Sequence, residues 1–135
     1  MLRRSAIKSR PTRTGPSSTV VDMVLERAQY SCEACGSGVG DRRGVDYSIH
    51  HRRARAMGGS SDYTTNLPSN LMLLCGSATT GCHGFVESNR AAAVAAGWLV
   101  LSRTDPRKVA VLVEHGSAWK YLTSDGRYSD TPDGE

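Results

Sequence analysis

The four cysteines of this chain form two pairs that its fold must account for. Cys32 and Cys35 are separated by two residues, and Cys75 and Cys82 by six. Two intervening residues let both sulfurs of a knuckle reach one ion, since zinc binds thiolates tetrahedrally at about 2.3 Å. Residues 76–81 are small, so the wider loop can close on the same ion. We therefore predict a closed, structural zinc site; buried cysteines without metal are the alternative.

Disulfides would require an exported protein. Residues 1–10 are basic, but no apolar run of signal-peptide length follows them. No stretch approaches the roughly 20 apolar residues of a membrane-spanning helix. We therefore expect a reduced chain in the cytoplasm, without a membrane partner.

Length and charge narrow the class of protein further. A chain of 135 residues forms one domain with a modest core, which a structural metal would supplement. Residues 1–60 hold eleven lysines and arginines against five acidic residues, whereas residues 61–135 hold six against eight. The positive charge of residues 1–60 favours binding to an anionic polymer, and nucleic acid is the first candidate. A solvated surface is the other interpretation.

Hydrophobic periodicity predicts a single α+β domain between two polar ends. Residues 1–17 read as a disordered basic arm, residues 18–128 as the domain and residues 129–135 as a polar tail. Ser18 or Thr19 is expected to cap a first helix that runs to about Gln29. The other predicted elements are strands at 45–53, 98–102, 109–114 and 119–123, a short apolar run at 71–74, and a helix at 82–96 that Gly97 ends.

Three histidines lie within the span that the cysteines enclose or border. His50 and His51 are adjacent in the predicted strand, and His83 directly follows the last cysteine. Closing the two knuckles on one ion brings that strand towards the start of the His83 helix. Neighbouring residues of a strand point to opposite faces, so one imidazole would bind a metal while the other accepts a proton from water. A hydrogen-bonded pair without chemistry is the alternative.

These segments together resemble the HNH endonucleases, and the stretch from Cys82 to Arg90 is similar to phage-encoded members. The resemblance covers residues 30–97, the motif core. It rests on Cys32-x2-Cys35-Gly, Ile49-His-His-Arg52, Gly58-Gly-Ser60, Asn70-Leu-Met-Leu-Leu-Cys75 and Cys82-His83.

The resemblance implies a small ββα-metal core stapled by the structural zinc, with an N-terminal helix and C-terminal strands added. It implies cleavage of phosphodiester bonds with one catalytic divalent cation: Mg²⁺, Mn²⁺, Ni²⁺ or Zn²⁺. His50 and His83 would bind that ion, and His51 would be the general base. Asn70 would brace the loop that aims the base, with Asn66 as a competing candidate.

Two points depart from the family's pattern or go beyond it. Many members end in Cys-x2-Cys-His, and this chain has four extra residues between Cys75 and Cys82, which displaces His83 in sequence. Glu87, one helical turn after His83, is a further candidate ligand.

The expected substrate is DNA, cleaved with low sequence specificity by a phage-encoded protein in the host cytoplasm. Arg52, Arg53 and Arg55 are the predicted phosphate contacts. A phage packaging (terminase) protein is the partner that the phage-like motif suggests. The alternatives are a zinc-stabilised nucleic-acid-binding or adaptor module without hydrolysis, and a protein-interaction scaffold.

Overall fold

The computed structural model describes residues 15–54 and 63–132, and these form a mixture of helices and short antiparallel strands. The predicted basic arm falls almost entirely outside the described residues, as do Arg55, the Gly58–Ser60 segment and the last three residues. No helix in the described part is long and apolar enough to cross a membrane. The elements are α1 (Ser18–Arg27), β1 (Tyr47–His51), β2 (Leu71–Cys75), α2 (Gly81–Ser88), α3 (Arg90–Ala95), β3 (Val111–Val113), β4 (Ala118–Leu122) and β5 (Tyr128–Ser129).

Helix α1 begins one residue earlier and ends two residues earlier than its sequence predicts. Ser17 is the N-cap residue, and its hydroxyl accepts a hydrogen bond from the Val20 amide at 3.2 Å. The helix stops because Gln29 and Tyr30 take left-handed backbone conformations, with φ of 53° and 57°. That turn directs the chain into the first cysteine knuckle.

Strand β2 is the centre of the fold. It pairs antiparallel with β1, with His50 opposite Met72 and His51 opposite Leu71. Leu71 and Leu73 pack with Val21, Val24 and other residues on the α1 side, whereas Met72 and Leu74 pack with Val86 of α2 and the C-terminal strands. The continuous apolar run of β2 is therefore explained by burial on both faces of the strand.

The predicted helix at 82–96 is two helices, because side chains near Asn89 compete for helical carbonyls. Ser88 donates to the Gly84 carbonyl and the Asn89 amide group to the Phe85 carbonyl. The predicted stop at Gly97 is confirmed. Its φ is +77°, and two amides beyond the helix bond back to the carbonyls of the last turn, a Schellman arrangement.

The C-terminal strands pack into the same hydrophobic core as β2. β3, β4 and β5 form one antiparallel sheet, and Val111, Val113 and Leu122 are buried in the same cluster as Met72 and Leu74. The predicted strand at 98–102 was wrong: that stretch makes no ladder, and its Val100 amide instead bonds to the Arg52 carbonyl at 2.8 Å. The predicted tail was wrong at its start, because β5 includes Ser129.

Arg52 corrects another expectation, since its side chain is 0% exposed and does not reach solvent. Burial lowers its pKa to about 9, so the guanidinium is still a cation at neutral pH. Its position ties the end of β1 to segments far along the chain. The guanidinium donates to the carbonyls of Ser69, Gly97, Pro106 and Val109 at 2.8 to 3.0 Å.

Replacing Arg52 with methionine is expected to lower the free energy of unfolding by about 2–4 kcal/mol, because buried carbonyl oxygens lose their donor. Urea denaturation of the metal-loaded protein measures this. Arg42→Met is the matched control, since Arg42 is an exposed arginine that pairs with Asp46, and its loss should change stability little. Equal stability of the two variants would contradict the structural role.

Candidate metal centres

The four cysteines converge although they come from three separate segments. Their sulfur atoms all lie within 4.8 Å of one another, and the Cys35 and Cys75 sulfurs are 3.9 Å apart. Four sulfurs placed tetrahedrally around zinc at 2.3 Å would be separated by about 3.8 Å. The cluster can therefore hold a structural metal ion such as zinc, with all four positions taken by protein.

The electrostatics of the cluster also fit a cation. Burial raises the pKa of the Cys32 and Cys82 thiols, and the neighbouring thiols raise that of Cys82 further, because like charges repel. Burial acts in the same direction on Cys35, but hydrogen bonds from Ser37 and the neighbouring thiols outweigh it and lower the pKa of Cys35 to about 7. A divalent ion would remove the repulsion and let all four thiolates form.

Backbone amides contact one sulfur of each cysteine pair, and a buried ion pair holds the first pair in place. The Cys35 amide points at the Cys32 sulfur, and the Cys82 amide at the Cys75 sulfur, at 3.5 and 3.3 Å. Glu33, between the first two cysteines, makes a two-pronged ion pair with Arg27 at 2.8 and 2.9 Å.

The same carboxylate joins distant segments to the knuckle. Glu33 accepts bonds from the Leu73 amide at 2.9 Å and from the Tyr128 hydroxyl at 2.5 Å. Burial and the nearby Glu33 charge raise the pKa of Tyr128, so its hydroxyl stays protonated as a donor. This network was not predicted from the sequence, although an acidic residue between two paired cysteines is a signal that could have indicated it.

A second group of metal-ligand atoms lies beside the first. One nitrogen of His50, one of His83 and one carboxylate oxygen of Glu87 come within 4.8 Å of one another. The two imidazole rings are 5.3 Å apart between centroids, and Glu87 is 3.6 Å from the Nε2 atom of His83. Two imidazoles and a carboxylate suit several divalent ions. Glu87, a further candidate ligand from the sequence, is part of the group.

Hydrogen bonding prepares His50 to act as a ligand. Its Nε2 atom lies 2.7 Å from the Trp98 carbonyl, which can only accept, so Nε2 carries the proton and Nδ1 the lone pair. Burial lowers the pKa of His50 to about 4, and burial also lowers that of His83. Both rings are thus neutral at neutral pH, which is the form that binds metals.

One buried atom of this group has no protein partner. The Nδ1 atom of His83 is inaccessible to solvent and makes no hydrogen bond to any residue that the structure describes. Buried polar atoms are nearly always satisfied by protein, water or an ion. This nitrogen therefore needs a partner, such as a water molecule or an ion.

His51 faces a different neighbour from His50, as the alternation of β1 predicts. Its Nε2 atom lies 2.8 Å from the side-chain oxygen of Asn66, and it is not among the three grouped ligands. Both histidines nevertheless border one cavity of about 290 Å³. The cavity is lined by Ile49, His50, His51, Ala54, His83, Glu87, Arg90 and Leu99.

Asn70 is fully buried and joins the backbone of two segments, at Arg53 and at Thr65. Its side-chain oxygen accepts from the Arg53 amide at 2.8 Å, and its side-chain nitrogen donates to the carbonyls of Arg53 and Thr65 at 3.1 and 2.9 Å. The segment after His51 and the turn that carries Asn66 are therefore held together by one amide group.

The arginines expected to contact phosphate divide into three cases. Arg52 is buried, as described above, and its guanidinium is not available to a ligand. Arg53 is half-buried and donates to the Thr104 carbonyl and the Thr64 hydroxyl. Arg55 lies outside the described residues. Arg90, which the sequence analysis did not select, is an exposed cation on the cavity wall, 3.8 Å from Glu87.

No model of a known protein family, no curated protein and no solved structure matches this chain. The interpretation of both centres therefore rests on the chemistry of the side chains themselves.

Cobalt(II) titration of the apoprotein is expected to produce strong thiolate-to-cobalt charge-transfer absorption, because four cysteine sulfurs surround the ion. Cys75→Ser should weaken that absorption and lower the melting temperature of the zinc-loaded protein, since structural zinc contributes directly to folding. Wild-type protein that binds cobalt without sulfur absorption would contradict the four-cysteine centre.

Proposed function

We propose that the chain is a metal-dependent endonuclease of the HNH type that hydrolyses phosphodiester bonds in DNA. In this proposal β1, β2 and α2 form a ββα-metal core. The proposal rests on two features of one cavity. The ligand atoms of His50, His83 and Glu87 lie within 4.8 Å of one another. His51 lines the same cavity but does not belong to that group. A binding module has no use for an uncoordinated histidine at that place.

His50, His83 and Glu87 would hold the catalytic cation, which could be Mg²⁺, Mn²⁺, Ni²⁺ or Zn²⁺. Three protein ligands leave coordination positions for water and for a phosphate oxygen. A bound ion would supply Lewis-acid stabilisation of the charge that develops on the phosphate and on the leaving oxygen.

His51 would act as the general base. It takes a proton from a water molecule, the water oxygen forms a bond to phosphorus, and the bond from phosphorus to the 3′ oxygen breaks. The 3′ oxygen then takes a proton from solvent, which leaves a 5′ phosphate and a 3′ hydroxyl. An imidazole suits this step because its usual pKa, about 6.5, lies close to neutral pH.

Arg90 is the cation best placed to contact the scissile phosphate. It lines the cavity beside Glu87, and its side chain is 61% exposed, so it can reach a ligand without desolvating first. When the Glu87 carboxylate binds the ion, it would no longer pair with Arg90, and the Arg90 guanidinium would be available to the phosphate. Arg52, Arg53 and Arg55 were predicted from the sequence to contact phosphate, and Arg90 would replace the buried Arg52 in that role.

The zinc cluster would be structural, and its position next to His83 supports the proposed nuclease site. Cys82 would bind zinc and His83 the catalytic ion, so the two centres share the first turn of α2. We extend the proposal to a phage-encoded protein acting in the host cytoplasm with low sequence preference. A phage packaging (terminase) protein is its proposed partner.

His51→Ala is expected to reduce metal-dependent cleavage of supercoiled plasmid DNA by roughly 10²–10⁴-fold, because the base that activates water is lost. DNA affinity, measured by gel shift at fixed salt, should change little. Chelation with EDTA should abolish cleavage by the wild-type protein.

His115→Asn is the control for that experiment, since His115 lies outside the cavity and its φ of 61° suits asparagine. It should cleave as the wild type does. Equal, EDTA-insensitive cleavage by the wild-type and His51→Ala proteins would refute the nuclease and leave the zinc-stabilised binding module.

Arg90→Ala is expected to raise KM for DNA about tenfold, since a charge-assisted contact to phosphate is removed. The dependence of affinity on salt should also lose about one unit of slope. Arg103→Ala removes an exposed arginine that does not line the cavity and should leave KM near the wild-type value. Equal effects of the two substitutions would show that Arg90 contributes only general charge.

A further inference from the structure

The imidazole of His51 is held by a side chain from a different segment of the chain. Its Nε2 atom lies 2.8 Å from Oδ1 of Asn66, which ends the short 3-10 turn Tyr63–Asn66. An amide oxygen only accepts hydrogen bonds, so Nε2 is the protonated nitrogen of this ring. A neutral imidazole carries one N–H, and the lone pair is therefore on Nδ1.

We propose that Asn66 is the positioning residue for His51, holding its ring in the Nε2–H tautomer with Nδ1 as the proton acceptor. This inference rests on the proposed function, in which His51 takes a proton from water. A base that exchanged tautomers or rotated about its side-chain bonds would present the wrong nitrogen to the water for part of the time. Asn66 would act on the reaction only through the ring it holds.

Asn66 can hold the ring because its own backbone is held. Asn70, 0% exposed, donates to the carbonyl of Thr65, the residue before Asn66, and accepts from the amide of Arg53, two residues after His51. Asn70 therefore holds the backbone next to Asn66, and Asn66 holds the His51 ring. Asn70 sets the distance between the two backbone segments, and Asn66 uses that distance to set the orientation of the ring.

The Asn66 side chain is neutral, so its removal would change the orientation of the His51 ring without removing a charge. Among the residues that the structure describes, the charged or titratable groups around His51 include His50, His83, Glu87 and Arg90, which line the same cavity, and Arg53, which bonds to the Asn66 turn at Thr64. Removing the Asn66 amide leaves all five in place. A change in rate in the variant therefore reports the orientation of His51.

Nitrogen-15 NMR of the histidine rings in the zinc-loaded protein tests the contact directly. At mildly alkaline pH, where the ring is neutral, the wild type should show His51 as the Nε2–H tautomer with a hydrogen protected from exchange with solvent. Asn66→Asp keeps the acceptor oxygen and should keep that signal. Asn66→Ala should lose it to exchange.

Thr64→Val is the matched control. It removes a hydrogen bond of 3.1 Å to Arg53 from the same turn without touching the His51 ring, so the His51 signal should remain. An exchange-protected signal that persists in Asn66→Ala, or a wild-type His51 protonated on Nδ1, would overturn the inference.

Steady-state cleavage of an oligonucleotide duplex with Mg²⁺ or Mn²⁺ supplies the second readout. Asn66→Ala should lower kcat about 10- to 100-fold with KM nearly unchanged. A rise in KM with kcat intact would overturn the positioning role. If the wild type cleaves with no divalent ion while the NMR signal depends on Asn66, the proposed function fails and the assigned hydrogen bond stands.

Discussion

The convergence of four thiol groups is the constraint on which the rest of the structure depends. Packed within 4.8 Å in a partly buried site, these groups cannot all ionise without a cation to offset their repulsion. A bound metal would turn that repulsion into four bonds joining the first knuckle, the end of β2 and the start of α2. Because His83 directly follows Cys82, its placement depends on the sulfur cluster and not on the length of the loop before it.

Directional polar contacts supplement the apolar core of this small domain. Glu33 and Arg27 connect α1 to the knuckle, β2 and β5, while Arg52, at the end of β1, donates to four carbonyls in the C-terminal half of the chain. Asn70 joins the backbone at Arg53 to the backbone at Thr65. Each of these buried groups is satisfied in one arrangement of the segments, so they select that arrangement among compact alternatives.

Two adjacent histidines have different environments because a strand turns alternate side chains to opposite sides. His50 is buried, is held by the Trp98 carbonyl and groups with His83 and Glu87. His51 is half-exposed at the end of β1 and is held by Asn66. This division is what the proposed chemistry requires, since a ligand and a proton acceptor need different partners for their second nitrogen.

Local signals in the sequence indicated the two cysteine pairs, the strand that carries His50 and His51, and the end of the helix before Gly97. Each depends on neighbours within a few residues, so spacing and side-chain type are enough. Tertiary structure alone decided that Arg52 is buried, that residues 98–102 form no strand, and that Asn66 contacts His51. These outcomes depend on carbonyl and amide groups far apart in sequence, whose meeting requires the folded chain.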